Sequence, residues 1–151
     1  MILDAYNEFC DATALNTGGP GTYLIGNQID LSVARDIGNG EPLYLVITVD
    51  TQPTSGGAAT AQFTLASDDT ANIATNGTAS VHFQTKAFTI AEMTAGKVLA
   101  AVPLPPEGVP YERFLGILQT TGAAAFTGGK INAFLTHDVA KWKSYDAPFQ
   151  A

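Results

Sequence analysis

One cysteine, two histidines and seven basic residues are all that this 151-residue chain offers of three chemically versatile groups, and each scarcity excludes something. A lone Cys10 rules out an intrachain disulfide and any multi-cysteine zinc site, leaving pairing between chains or, more simply, a small apolar filler near the first strand. Seven Lys and Arg against fourteen Asp and Glu leave a formal net charge of −7, which repels phosphate backbones and anionic headgroups. Only Lys130, Lys141 and Lys143 cluster at all, so nucleic acid is set aside as a partner. No stretch approaches the roughly 20 apolar residues of a membrane span, the best run being broken at Asp50. The N-terminus carries acids where a signal peptide needs an apolar run. The expectation is a soluble chain made in a cytoplasm. Charged residues make up 14% of the chain, well below the usual quarter, so Thr, Ser, Asn, Gln, Ala and Gly cover much of its surface and suit it to extensive contacts.

What the chain does have is a rhythm of short strands. Leu43, Leu45, Ile47 and Val49 alternate with Tyr44, Val46, Thr48 and Asp50, the period of two that a half-buried strand requires. Thr22 to Ile25 reads as an edge strand or arm between glycine-rich turns, and Ile29 to Leu31 starts another. Ala61, Phe63 and Leu65 mark a further strand, and Asn76-Gly77 a turn. Val81, Phe83 and Thr85 share one face, with Ser80, His82 and Gln84 on the other. Thr89-Ile-Ala-Glu92 matches a capping box, with Gly96 where one or two helical turns would stop. Val98 to Leu104, Arg113 to Thr120 and Lys130 to Asp138 complete the set, and Gln52 to Thr60, with Pro53, Gly56 and Gly57, reads as a flexible exposed loop. Roughly eight short antiparallel strands, one short helical segment and turn signals at about ten-residue spacing predict an all-β sandwich, most simply a jelly roll. It fills a single domain over 1–151, with an N-terminal arm at about 1–20.

Chemistry is hard to assemble from these residues. Metal-dependent jelly-roll enzymes gather two or three histidines and a carboxylate, and here His82 reads as a solvated surface residue and His137 as a local hydrogen-bonding group. Asp68-Asp69 with Asn72 lacks the dense acidic spacing of a calcium loop and reads as a turn. No serine sits in a G-x-S-x-G elbow, and no pair of acids stands out for glycoside hydrolysis. Gly18-Gly19-Pro20-Gly21 lacks the lysine of a phosphate loop. No catalytic, cofactor-binding or metal-binding residue is therefore assigned, and no enzyme is expected. Arg35 and Asp36, between Asp30 and Glu41, read as an Arg–carboxylate clamp that pins this loop against the sheet. Trp142, flanked by Lys141, Lys143 and Tyr145, reads equally as an interface anchor or as a staple holding the tail on the sandwich.

Two blocks carry a resemblance. Asp30-Leu31, Ala34-Arg35-Asp36, Gly38, Gly40-Glu41 and Leu43-Tyr44 run into Thr48-Val49-Asp50-Thr51; Glu112-Arg113-Phe114, Gly129-Lys130, Ala133-Phe134 and Asp138 to Trp142 form the second. Together with Met1 to Asp4 and Phe9-Cys10-Asp11, these resemble the capsid cement (decoration) proteins of tailed bacteriophages. The resemblance implies a structural jelly-roll protein on the outer capsid surface of the virion, assembled in the host bacterial cytoplasm. It implies binding to the major capsid protein as a homo-oligomer, dimer or trimer, with no cofactor. The apolar or flexible residues outside the strongest strands, Ile2, Leu3, Tyr6, Phe9, Pro53 and Thr54, with Trp142 and Tyr145, are the expected capsid or subunit contacts. The alternative is a jelly-roll carbohydrate-binding module on the virion surface, for which Tyr23, Tyr111 and Tyr145 are the available aromatics.

Overall fold

The computed structural model describes residues 4–35, 37, 40–105 and 108–139. Within them lie nine strands: β1 (Glu8–Ala14), β2 (Gly21–Asp30), β3 (Tyr44–Thr54), β4 (Thr60–Asp68), β5 (Ser80–Gln84), β6 (Phe88–Thr89), β7 (Val98–Pro103), β8 (Phe114–Gly122) and β9 (Gly128–Thr136). All pair antiparallel. One sheet has the order β1-β9-β3-β7 and the other β2-β8-β4-β5, with β6 also on β4. Taking β5 and β6 as one interrupted strand, the chain changes sheet at every step except the β4–β5 hairpin. That interleaving is the jelly roll.

The alternation read from the sequence positions the core. Cross-strand partners share a face, and the β3–β9 pairs Leu45↔Leu135, Ile47↔Ala133 and Val49↔Ile131 all point inward, into one apolar cluster with Phe9, Phe63, Leu65 and Ile117. A satellite cluster forms outside the second sheet, where Ile73 and Ala79 of the β4–β5 connection cover Ala66 and Leu118. Gln119 is fully buried among the inward residues of β8. It accepts from Asn16 N (2.9 Å) and donates to Asn16 O (3.1 Å) and Thr121 Oγ1 (2.8 Å), so the β1–β2 crossover is held by a side chain on another strand. Gln119→Leu leaves both Asn16 backbone groups without that partner and is expected to cost about 1–3 kcal/mol. Urea denaturation with an unchanged m-value checks this.

Three expectations need correction. Residues 8–14 of the expected arm are an edge strand, because Phe9 and Cys10 pack into the core while their backbone pairs with β9. The expected short helical segment is present as a single 3-10 turn, Ile90–Glu92, with its capping box. Hydrogen bonds from Val49 N to Lys97 O and from Gly96 N to Val49 O tie the following chain to β3 before a helix can extend. The Gln52–Thr60 loop begins later than expected, since β3 continues to Thr54, which pairs with Gly128. Finally, the alternation along β5 breaks. Leu65 pairs with Phe83 but Ala66 with Val81, so His82 is the extra residue of a β-bulge. The bulge puts Phe83 against the core and leaves Val81 47% exposed, although sequence spacing placed them on one face.

Candidate contact surfaces

Asp30 does form the expected kind of clamp, but with a different arginine. Its carboxylate accepts from Arg113 Nε (2.9 Å) and Nη2 (2.8 Å), a bidentate pair at the junction of β2 and β8, where Leu31 N also donates to Arg113 O. Asp30 Oδ1 further accepts from Ser32 N, whose residue has φ +71°. The Arg113 guanidinium beside it holds the Asp30 carboxyl down at about 2, with the Ser32 N–H adding to the effect. Arg35 and Glu41 are exposed and contribute no ion pair among the described residues, and Asp36 lies outside them. The reason is register: Asp30 pairs with Phe114, which brings the neighbouring Arg113 to its side of the sheet. Sequence proximity favoured Arg35, and only the β2–β8 pairing could have identified Arg113.

The expected contact residues separate by burial. Asp4 caps a 3-10 turn at Ala5–Asn7 by accepting from Tyr6 N, and this turn presents Tyr6 at 87% exposure. Beside it, Glu8 and the Asn27–Asp30 stretch line an open groove of about 770 Å³. Phe9, by contrast, is 0% exposed and cannot touch a partner. Pro53 is buried too, in a position where its missing N–H falls at a register irregularity of β3, while Thr54 is exposed and its hydroxyl meets Thr127 Oγ1 (2.9 Å). Ile2, Leu3, Trp142 and Tyr145 lie outside the described residues.

The β5 bulge builds a cluster that the sequence did not announce. His82 stacks on Tyr111, ring centroids 3.9 Å apart and 13° from parallel, and its Nε2 meets Ser67 Oγ at 2.7 Å. Ser67 Oγ accepts from Glu112 N (3.0 Å), which leaves its hydroxyl proton for a neutral His82 ring. Serine, histidine and glutamate are thus together, but not as a catalytic triad: Ser67 is 0% exposed, and the Glu112 carboxylate takes the Ser80 hydroxyl. The arrangement fastens the segment before β8 onto β4 and β5. His82 is therefore a half-buried structural residue rather than a solvated one.

Burial holds the His82 pKa below its ordinary 6.5, opposed in part by the Glu112 charge. Below pH 6.5 the unfolded chain binds a proton that the folded ring resists. Stability from this group is complete above 6.5 and is lost as the pH falls from there through the folded value. Histidine ring resonances followed by NMR should show His82 titrating below 6.5. A midpoint at or above that value contradicts this reading.

The remaining polar candidates are local. Asp68 accepts from Thr70 N and Ala74 N and so organises a turn, as its sequence suggested. His137 Nδ1 meets Pro42 O at 3.2 Å. Cys10 is buried in β1, which pushes its thiol up to about 12 and makes it an inert filler. No group of three or more His, Cys, Asp or Glu among the described residues is placed to hold a metal ion.

Fold and surface together define a jelly-roll β-sandwich whose polar clusters fasten loops. The Bbp16 family model matches residues 11–135, and the chain belongs to that family. No curated protein matches the chain significantly.

Proposed function

We propose that this chain is a structural virion protein that binds the outer surface of a bacteriophage head as a homo-oligomer and bridges major capsid subunits. The observation that carries the reading is that the two blocks resembling cement proteins are adjacent in space. Block one supplies Asp30 and β3, block two supplies Arg113 and β9, and they meet in the Asp30–Arg113 pair and the β3–β9 ladder. The resemblance thus follows a connected frame of the sandwich. Membership of the Bbp16 family is compatible with it.

The physics of the role is additive. Each copy buries apolar area across a seam at about 25 cal/mol per Å², less the cost of association, and many weak copies stabilise one shell. Tyr6 on its 3-10 turn has the exposure and chemistry of such an anchor. The glycan-binding alternative is less well supported, because Tyr111 is buried under His82 and the Tyr23 hydroxyl is turned to Gly19 O.

Mixing the purified chain with undecorated heads is expected to give saturable co-sedimentation at a fixed stoichiometry and a higher unfolding temperature of the heads. Absence of co-sedimentation together with binding on a glycan array would replace this reading with the alternative.

A further inference from the structure

The two long sides of the sandwich differ. On one, β1 and β2 pack together, with Gly26 against Phe9. On the other, β7 ends the first sheet and β5 the second, and no comparable packing joins them among the described residues. An open groove of about 470 Å³ lies between them, with Phe83, Phe88, Leu99 and Val102 in its lining. The strand on its rim, Val98–Pro103, is uncharged. The hydrogen bond from Leu104 N to Leu43 O fixes which way that strand's backbone groups point. Counting from this pair, Ala100 and Val102 bond to β3 through Ile47 and Leu45, while the N–H and C=O of Ala101 and the C=O of Pro103 turn away from the ladder. Ala101 is exposed. Ile47 pairs with Ala100 but Thr48 with Val98, so Leu99 is a bulge residue. That bulge and the missing N–H of Pro103 bracket the free edge, which therefore suits a brief strand.

We propose that this groove docks a short extended segment of another protein, which pairs antiparallel with Ala101 on the free edge of β7, sets alternate apolar side chains into the groove and carries a carboxylate at its C-terminal end. Each requirement has an observation behind it. Strand addition takes its affinity from main-chain hydrogen bonds, and Ala101 offers a donor and an acceptor that the β3 ladder does not use. Phe83, Leu99 and Val102 are only partly buried against the core, so their groove sides remain open to apolar contact. The charge requirement comes from the end where β7 begins. There a neighbouring hollow of about 340 Å³ is lined by Lys86, Phe88 and Lys97. Lys86 is paired with Glu92, whereas Lys97 is exposed and has no ion pair among the described residues. A strand antiparallel to β7 has its C-terminal end at Lys97. A second copy's β7 fits less well, because antiparallel self-pairing about Ala101 sets Lys97 opposite Pro105, which offers no carboxylate.

The probe is a synthetic peptide, acetyl-Val-Thr-Val-Thr-Val-Asp-amide, titrated into the full chain and followed by amide NMR. Saturable shifts are expected at Ala101 and its neighbours on β7 and along β5 and β6, with β1 unmoved. Replacing the peptide's Asp by Lys, or Lys97→Glu in the protein, should weaken binding several-fold. N-methylation of the peptide's central amides should weaken it at least as much, and so should Ala101→Pro, which removes an N–H that the β3 ladder does not use and should leave the Tm near the parent's. Lys97→Glu, an exposed substitution, keeps the test intact if Ala101→Pro fails to fold. Undisturbed Ala101 resonances at millimolar peptide overturn the proposal, as does equal binding of the N-methylated peptide. Shifts at Ala101 that appear with protein concentration alone would assign the edge to a second copy and overturn it too. None of these outcomes depends on head binding, so the proposal stands or falls apart from the function proposed above.

Discussion

Gly26→Ala is expected to destabilise the chain by about 2–5 kcal/mol, from left-handed backbone strain of about 1–2 kcal/mol and a steric conflict of about 1–3 kcal/mol. Gly26 has φ +69°, and a Cβ built on it lies 2.1 Å from Phe9 O and 2.6 Å from Cys10 Sγ. The first obstacle is backbone, which cannot rotate away. The contact is also where the sandwich closes on one side: β1 is an edge of the first sheet, β2 an edge of the second, and Gly26 lies at the irregularity between Ile25 and Ile29 where β2 passes against β1. Gly77→Ala is the control. Gly77 has φ +90° but open space around its Cβ position, so its cost should stay near 1 kcal/mol. At about 2–4 °C per kcal/mol for a chain of this size, thermal unfolding separates the two variants clearly. Equal losses would show that strain alone, without the close approach of β1, accounts for Gly26.

The contrast between these glycines bears on what could be read in the sequence. Leu45, Ile47 and Val49 announced their face through alternation, and the jelly roll followed because strands of that spacing close most simply in that way. Alternation is a local property and survives without knowledge of partners. It failed where the partner mattered. Alternation puts His82 on the wrong face because a bulge opposite Leu65 and Ala66 inserts one residue, and nothing in Ser80 to Gln84 marks that insertion. Nearness to Asp30 in sequence points to Arg35, whereas the clamp depends on the β2–β8 register, which supplies Arg113. Nothing in the sequence around Gln119 marks it for burial, and only the crossover at Asn16 supplies the backbone groups that satisfy its amide there.

Phe9 and Tyr6 make the same point across three residues. Both are aromatic and both precede the strong strands, so the sequence alone gives them the same expected contact role. The structure divides them completely: Phe9 is 0% exposed within the core cluster and Tyr6 is 87% exposed on the capped turn. Phe9→Ala is therefore expected to cost about 3–5 kcal/mol through lost apolar transfer and the cavity left behind. Against a typical stability of about 5–15 kcal/mol, that brings many such domains close to unfolding at physiological temperature. Tyr6→Ala removes little that is buried and should stay within about 0.5 kcal/mol of the parent in denaturant unfolding. On heads the order should reverse for the protein that remains folded. Tyr6→Ala should weaken decoration several-fold at unchanged stability, whereas Phe9→Ala, measured well below its melting temperature, should bind with near-parental affinity. If Tyr6→Ala decorates as well as the parent, the N-terminal turn is not part of the shell contact, and the contact must be sought on the remaining exposed faces of the sandwich.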